Sequence, residues 1–182
     1  MLERAGIYDV RIEQIGGNLT DHYDPSHKVL RLSSTVYGSA SVAALGVAAH
    51  ETGHAIQHAE NYGFLWLRNA MAPITRIGSN LSIPLVLIGL LISRSWGNTL
   101  ILLGIALFAV VVLFSVVTLP VEFDASKRAL GMLEGQNYLY GQELRGAKKV
   151  LTAAATTYVA ATAVALVNLL RLLALLGGRS RD

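Results

Sequence analysis

Ser39-Ala40-Ser41-Val42-Ala43-Ala44-Leu45-Gly46-Val47-Ala48-Ala49-His50-Glu51-Thr52-Gly53-His54 is an alanine-rich run that ends in H-E-x-x-H. Ser39 or Ser41 can cap a helix, and the alanines propagate it. Residues four apart on a helix share a face, so His50 and His54 can aim two imidazole nitrogens at one metal ion. Glu51 stands beside the first of them, where its carboxylate can reach a metal-bound water. Two ligands and a general base on one helical turn form the minimal kit for zinc-dependent peptide hydrolysis. The chain has only 5 His and 12 Asp plus Glu, so a chance match is disfavoured. The apolar, small-residue flank suggests a buried helix, and a buried helix carrying these groups needs a partner for them. We expect the helix to span roughly Ser41 to Asn61, with Gly63 as its stop.

Composition bounds the rest. The chain is 53% apolar and 15% charged, with mean hydropathy +0.48, too apolar for an ordinary soluble domain. Thr99 to Val121 carries no charge and is long enough to cross a bilayer. A second uncharged run spans Val150 to Leu170, followed by Arg171, which can snorkel, and Leu172 to Leu176. A weaker third run, Ile77 to Ser93, is interrupted by Pro84. Phe64 to Ala72 reads as an interfacial amphipathic piece ended by Pro73. The fold expected is a mainly α integral membrane protein with three transmembrane helices, a catalytic helix and a small N-terminal sheet or hairpin. No cleavable signal peptide is expected at Met1-Leu2-Glu3-Arg4, which is polar from the start.

The segments divide as 1–75 (strands and catalytic helix), 77–121 (a transmembrane hairpin turning around Ser93 to Asn98), 122–149 (a charged segment, helical from Glu122 to Leu133), 150–176 (the third span) and 177–182 (the tail). Within the first, Tyr8 to Ile15 and Lys28 to Leu32 alternate as strands, with turns at Gly16-Gly17-Asn18 and Asp24-Pro25-Ser26-His27. Val29 to Leu32 is the expected edge strand that pairs with a substrate backbone.

With no cysteine in the chain, any metal must be held by His and carboxylate. The net charge of +3 does not imply nucleic acid, because Lys and Arg are scattered and no aromatic-interleaved basic patch occurs. A catalytic zinc takes three protein ligands and leaves one position open. His58 lies one turn beyond His54 and reads as a packing or polar-network residue. Glu122 is the better third ligand. It is the first charge after the longest apolar run, where a carboxylate is costly unless solvated or paired, and a helix starting at Pro120 can lean it onto the metal helix. Asp124 is a candidate to hydrogen-bond a ligand histidine. A tetrahedral oxyanion would need a second electrophile, for which His22, Tyr23, His58 and Arg128 all remain open.

Three separated strings, Leu19-Thr20-Asp21-His22-Tyr23-Asp24-Pro25, Ala48-Ala49-His50-Glu51-Thr52-Gly53-His54-Ala55-Ile56-Gln57 and Val121-Glu122-Phe123-Asp124-Ala125-Ser126, occur in order. Together they resemble the bacterial neutral zinc metallopeptidase family of YugP-like membrane proteins, and the resemblance covers nearly the whole chain. It implies an integral-membrane zinc peptidase with His50, His54 and Glu122 as Zn2+ ligands and Glu51 as base. The layout is also similar to that of HtpX-type membrane proteases, which are gluzincins. Members of the YugP-like family usually carry a further hydrophobic segment ahead of the position of Met1.

Ligands from both sides of the hairpin can share an ion only if 1–75 and 122–149 lie on one side of a membrane. That side holds Arg68, Arg76, Lys127, Arg128, Arg145, Lys148 and Lys149 against Arg94, Arg179 and Arg181, which points to a cytoplasmic site in a multi-pass protein of the bacterial cell membrane. The expected partners are the bilayer and a membrane-associated peptide or protein substrate. Two other readings compete. One is a site-2-type intramembrane protease with its motif inside a span, although no later Leu-Asp-Gly motif supports it. The other is a non-catalytic membrane scaffold, against which the intact Glu51 argues.

Overall fold

The computed structural model describes residues 1–92 and 94–179. Ser93 of the expected hairpin turn and Ser180 to Asp182 of the expected tail lie outside the described residues. The protein is mainly helical, with a small sheet at its start. A short 3-10 turn at Glu3–Ala5 leads to β1 (Arg11–Ile15), β2 (His22–Asp24) and β3 (Val29–Ser33). Four helices follow: α1 (Val42–Ala59), α2 (Gly63–Leu91), α3 (Arg94–Gly135) and α4 (Gly141–Arg179). The chain gathers into two compact units. One comprises Met1–Trp66 with Pro120–Thr157, and the other Leu67–Leu119 with the residues from Tyr158 onward.

In the first unit the sheet order is β1-β3-β2. β3 runs parallel to β1 and antiparallel to β2, with Tyr23 opposite Leu30. Val29 to Leu32 is therefore the central strand and not an edge. Period-2 alternation marks a strand with one buried face but carries no information about its neighbours. β2 and β3 form a hairpin around Asp24, whose Oδ1 accepts from the Ser26 and His27 amides, an Asx turn that Asp favours. Asp21 closes the other end, accepting from both the amide and the hydroxyl of Ser33.

The sheet lays Leu30 and Leu32 on α1, where they pack with Leu2, Ile7 and Ala55. The opposite face of α1 meets α3 and α4 through Ala49, Ala129, Leu133, Ala147 and Leu151. Burying a side chain such as Leu133 contributes roughly 1.5–3 kcal/mol. Ser41 is the N-cap of α1 and accepts from the Ala44 amide at 3.1 Å. The helix ends earlier than Gly63. Asn61 takes φ 55°, and the Tyr62 amide returns to the Gln57 carbonyl at 2.9 Å. Asparagine tolerates this left-handed cap nearly as well as glycine, and Gly63 instead opens α2.

The second unit holds the most apolar helices. Three helices are long and apolar enough to cross a membrane: Gly63–Leu91, Trp96–Gly135 and Gly141–Gly178. Neither Pro73 nor Pro84 ends α2, and α3 passes through Pro120 unbroken. The amphipathic piece Phe64 to Ala72 is thus part of the same helix as the weaker apolar run. In apolar surroundings an unwound turn would strand several backbone groups, a greater cost than the one hydrogen bond a proline removes. Within this unit α2 and α3 approach until their backbones nearly touch. A Cβ on Gly104 would sit 2.6 Å from the Ser82 carbonyl, and one on Gly89 2.6 Å from the Gly97 carbonyl. Small residues allow such close approach between apolar helices.

Two glycines of α3 should therefore respond oppositely to alanine. Gly104→Ala forces backbone apart and should destabilise by about 1–3 kcal/mol. At Gly131 nothing lies within 4 Å of an added Cβ, so Gly131→Ala should stabilise by about 0.5–1 kcal/mol. Thermal unfolding of the detergent-solubilised variants checks both signs.

Candidate metal centre

The site forms entirely within the first unit, from α1 and the part of α3 that follows Pro120. Gly53 sets their separation. A Cβ there would stand 2.6 Å from the Ala125 carbonyl oxygen, closer than side-chain carbons are found, so only glycine lets the helices meet at this depth. The contact brings Glu122 alongside His50 and His54. His50 Nε2 lies 3.3 Å from Glu122 Oε2, and His54 Nε2 lies 3.8 Å from Glu122 Oε1. The two imidazoles are nearly perpendicular, at 84°.

One ligand atom from each of the three residues falls within 4.8 Å of the others. Ligand atoms on a tetrahedral zinc, about 2.0–2.2 Å from it, lie roughly 3.3–3.6 Å apart. Two of the donor pairs, at 3.3 and 3.8 Å, are at or near that spacing, so the three residues could converge on a zinc-sized ion, and a His/His/carboxylate set suits zinc chemically. Glu122 is 2% exposed and His54 8%. A carboxylate so deeply buried needs positive charge or donors beside it.

The outward nitrogens of both histidines are also held. His54 Nδ1–H donates to Gln57 Oε1 at 3.0 Å. Gln57, fully buried, donates in turn to the Val121 carbonyl and to Asp124 Oδ2, each at 2.8 Å. His50 Nδ1 lies 3.2 Å from the Ser126 hydroxyl. A ring whose Nδ1–H donates, as that of His54 does, presents the lone pair of Nε2 inward, the tautomer a metal ligand requires, and the Ser126 hydroxyl can accept from His50 in the same sense. Glu51 is buried beside these groups, and burial is the main cause raising its carboxyl pKa. His50 opposes that rise and Glu122 adds to it, while a backbone hydrogen bond from Tyr23 on β2 also lowers it.

Asp124 reaches His54 only through Gln57, and its own Oδ2 also accepts from Arg128 Nε at 2.5 Å. The Arg128 guanidinium is shared with Glu60 at 2.7 Å. Tyr23 and His58 form a separate pair between β2 and α1, with the phenol 2.8 Å from His58 Nδ1. Burial first, then Asp9 and Asp24, pushes the Tyr23 phenol up to about 12. His22 is on the exposed face, with Nδ1 donating to the Thr20 carbonyl at 2.8 Å. Sequence reasoning assigned no role to Gln57, Ser126 or Gly53. The first two share helix faces with His54 and Glu122, three and four residues on, but uncharged residues stand out only once the partner helix is in place.

Residues 1–177 match the family described as "Putative neutral zinc metallopeptidase". The chain belongs to that family. It is 45% identical over 183 residues to "Putative membrane protease YugP" of Bacillus subtilis (strain 168), an alignment covering 100% of this chain and 80% of that protein. No solved structure matches. Family membership carries the coarse assignment of a zinc metallopeptidase, matching the donor set above.

Replacing Gly53 by alanine should push α3 away from α1 and separate Glu122 from the histidines. Purified Gly53→Ala should lose most of its bound zinc by elemental analysis while circular dichroism keeps its helical content. Full zinc occupancy in that variant would show that the close approach is dispensable.

Proposed function

We propose that this protein is a membrane-embedded, zinc-dependent endopeptidase of the gluzincin type. The observation carrying the proposal is the convergence of His50, His54 and Glu122, two of them deeply buried, beside a buried Glu51. His50 Nε2, His54 Nε2 and a Glu122 oxygen would hold the ion. When bound, zinc supplies a Lewis acid that acidifies water and polarises a scissile carbonyl. Glu51 accepts the proton of the attacking water at its carboxylate and delivers it to the leaving amine. Gln57 and Ser126 keep both imidazoles in register.

Substrate alignment falls to β2. Its inner edge is taken by β3, and its outer edge faces Glu51 through the Tyr23 backbone hydrogen bond. An extended peptide added there would pair main chain to main chain, passing the general base as it does so. Peptide or protein chains with an extended segment are thus the fitting substrates.

The three long apolar helices support membrane insertion. α1 is not among them, and the sheet covers one of its faces, which disfavours the site-2-type alternative with its motif inside a span. A scaffold without turnover would have no physical need for a buried Glu51. Division of the chain at 1–75, 77–121, 122–149 and 150–176 places seven basic residues on the side of the site and three opposite, supporting a cytoplasmic location.

Glu51→Gln should keep stoichiometric zinc and lose at least about 10²-fold in turnover of a fluorescent unfolded protein. Wild-type cleavage by that variant would refute the assignment of the base. Because the chain has no cysteine, Tyr140→Cys introduces a single thiol on an exposed residue. In intact cells it should resist a membrane-impermeant maleimide and react after lysis. Labelling from outside would reverse the proposed topology.

A further inference from the structure

Beyond the three candidate metal ligands, the first unit carries two adjoining grooves that share Thr152. The first, about 550 Å³, lies along α4 and is lined by Arg145, Lys148, Lys149, Thr152 and Thr156. These positions recur every three or four residues and so form one stripe down the helix. No carboxylate lines it. Among the described residues, no ion pair or side-chain hydrogen bond involves Arg145, Lys148 or Lys149. The second groove, about 250 Å³, runs between α3 and α4. Phe123, Leu130, Leu151 and Ala155 make it apolar, with Lys127 also among its lining residues. Phe123 is half exposed.

Charge and apolar surface are therefore arranged in sequence: a cationic stripe with hydroxyls, then an apolar trough beside it. The same helix continues past Thr157 into an apolar stretch with exposed Tyr158, Val159, Val164 and Leu166. That is the order of groups in a phospholipid, whose anionic head sits at the boundary and whose chains point into the bilayer.

We propose that this surface binds an anionic phospholipid. The phosphate is held by Arg145, Lys148 and Lys149 with Thr152, and the upper part of an acyl chain lies in the α3–α4 trough. The trough also includes Ser126, whose hydroxyl meets His50 Nδ1, so a bound lipid would lie behind a candidate ligand rather than on the substrate side. A zwitterionic head offsets its phosphate with its own ammonium, which three nearby cations would repel, so phosphatidylglycerol-like lipids, with a net negative charge, fit better than phosphatidylcholine. The proposal rests on the reading of the long helices as spans.

Native mass spectrometry of the full chain in detergent, titrated with phosphatidylglycerol or phosphatidylcholine, tests it. The wild-type protein should retain phosphatidylglycerol on the order of tenfold better. In Arg145→Gln/Lys148→Gln/Lys149→Gln the preference should fall below about twofold. Thr152→Trp, which fills the junction of the grooves at an exposed helix position, should weaken retention of the lipid while circular dichroism stays unchanged. Equal retention of the two lipids by the wild type, or an undiminished preference in the triple variant, overturns the proposal. So does full displacement of the lipid by millimolar inorganic phosphate, which would mark a simple anion patch. A chain that stays in solution without detergent would overturn the membrane reading as well. Zinc content and cleavage enter none of these readouts, so failure here is distinguishable from failure of the peptidase assignment.

Discussion

Everything at the metal centre depends on the missing side chain at Gly53. The Ala125 carbonyl occupies the space a Cβ would need, and from that contact Glu122 acquires its reach. Had α3 stood one methyl further out, the carboxylate would meet neither imidazole at bonding range, and the donors would no longer be spaced for one small ion. The H-E-x-x-H string leaves its two middle positions free in principle. Here packing restricts the second of them to glycine, and the reason lies on another helix, 72 residues away.

The same packing explains why so many polar groups tolerate burial. Glu51, His54, Gln57 and Glu122 are all buried, which would be unfavourable for isolated groups. Each has partners. Gln57 uses its amide oxygen on His54 and its amide nitrogen on the Val121 carbonyl and Asp124. Such a network is rigid because each member is held by others. Rigidity of this kind is what a preformed metal site requires, since ligands that must first be ordered bind more weakly.

Much of this was legible from residue order. The helix that carries H-E-x-x-H followed from an alanine run, and its cap from two candidate hydroxyls, Ser39 and Ser41, of which the fold uses Ser41; the apolar helices followed from the absence of charge. Two of the places where reading the chain misled, the edge assignment of β3 and the stop at Pro73, are cases of tertiary context overriding local signals. Lys28 to Leu32 reads as an alternating strand, yet adjacent Val29 and Leu30 are both buried in the fold, and pairing partners on both sides make the strand central, leaving β2 at an edge. Pro73 reads as a helix stop, because in water an exposed turn satisfies its backbone for nothing. In the fold α2 runs on through it, giving up one hydrogen bond where an unwound turn would give up several. Gln57 and Ser126 were invisible for a different reason: an amide or hydroxyl becomes informative only when the histidine nitrogen it meets is known.

The interposed Gln57 has an electrostatic consequence. A carboxylate hydrogen-bonded straight to a ligand imidazole makes that ligand more basic and adds negative charge beside the ion. Here the neighbouring carboxylate, Asp124, is held one residue away by a neutral amide, and its charge is met by Arg128, which also pairs with Glu60. Glu122, itself one of the three donors, and Glu51 beside it are the carboxylates at the site. Their combined charge balances a divalent cation, so the filled site would be close to neutral in a poorly solvated pocket, where excess charge of either sign is costly. Adding a direct carboxylate at position 57 would break that balance and reduce the electrophilicity on which the proposed hydrolysis depends. A neutral relay orients His54 without that penalty, which is a physical reason for an amide three residues after the second histidine.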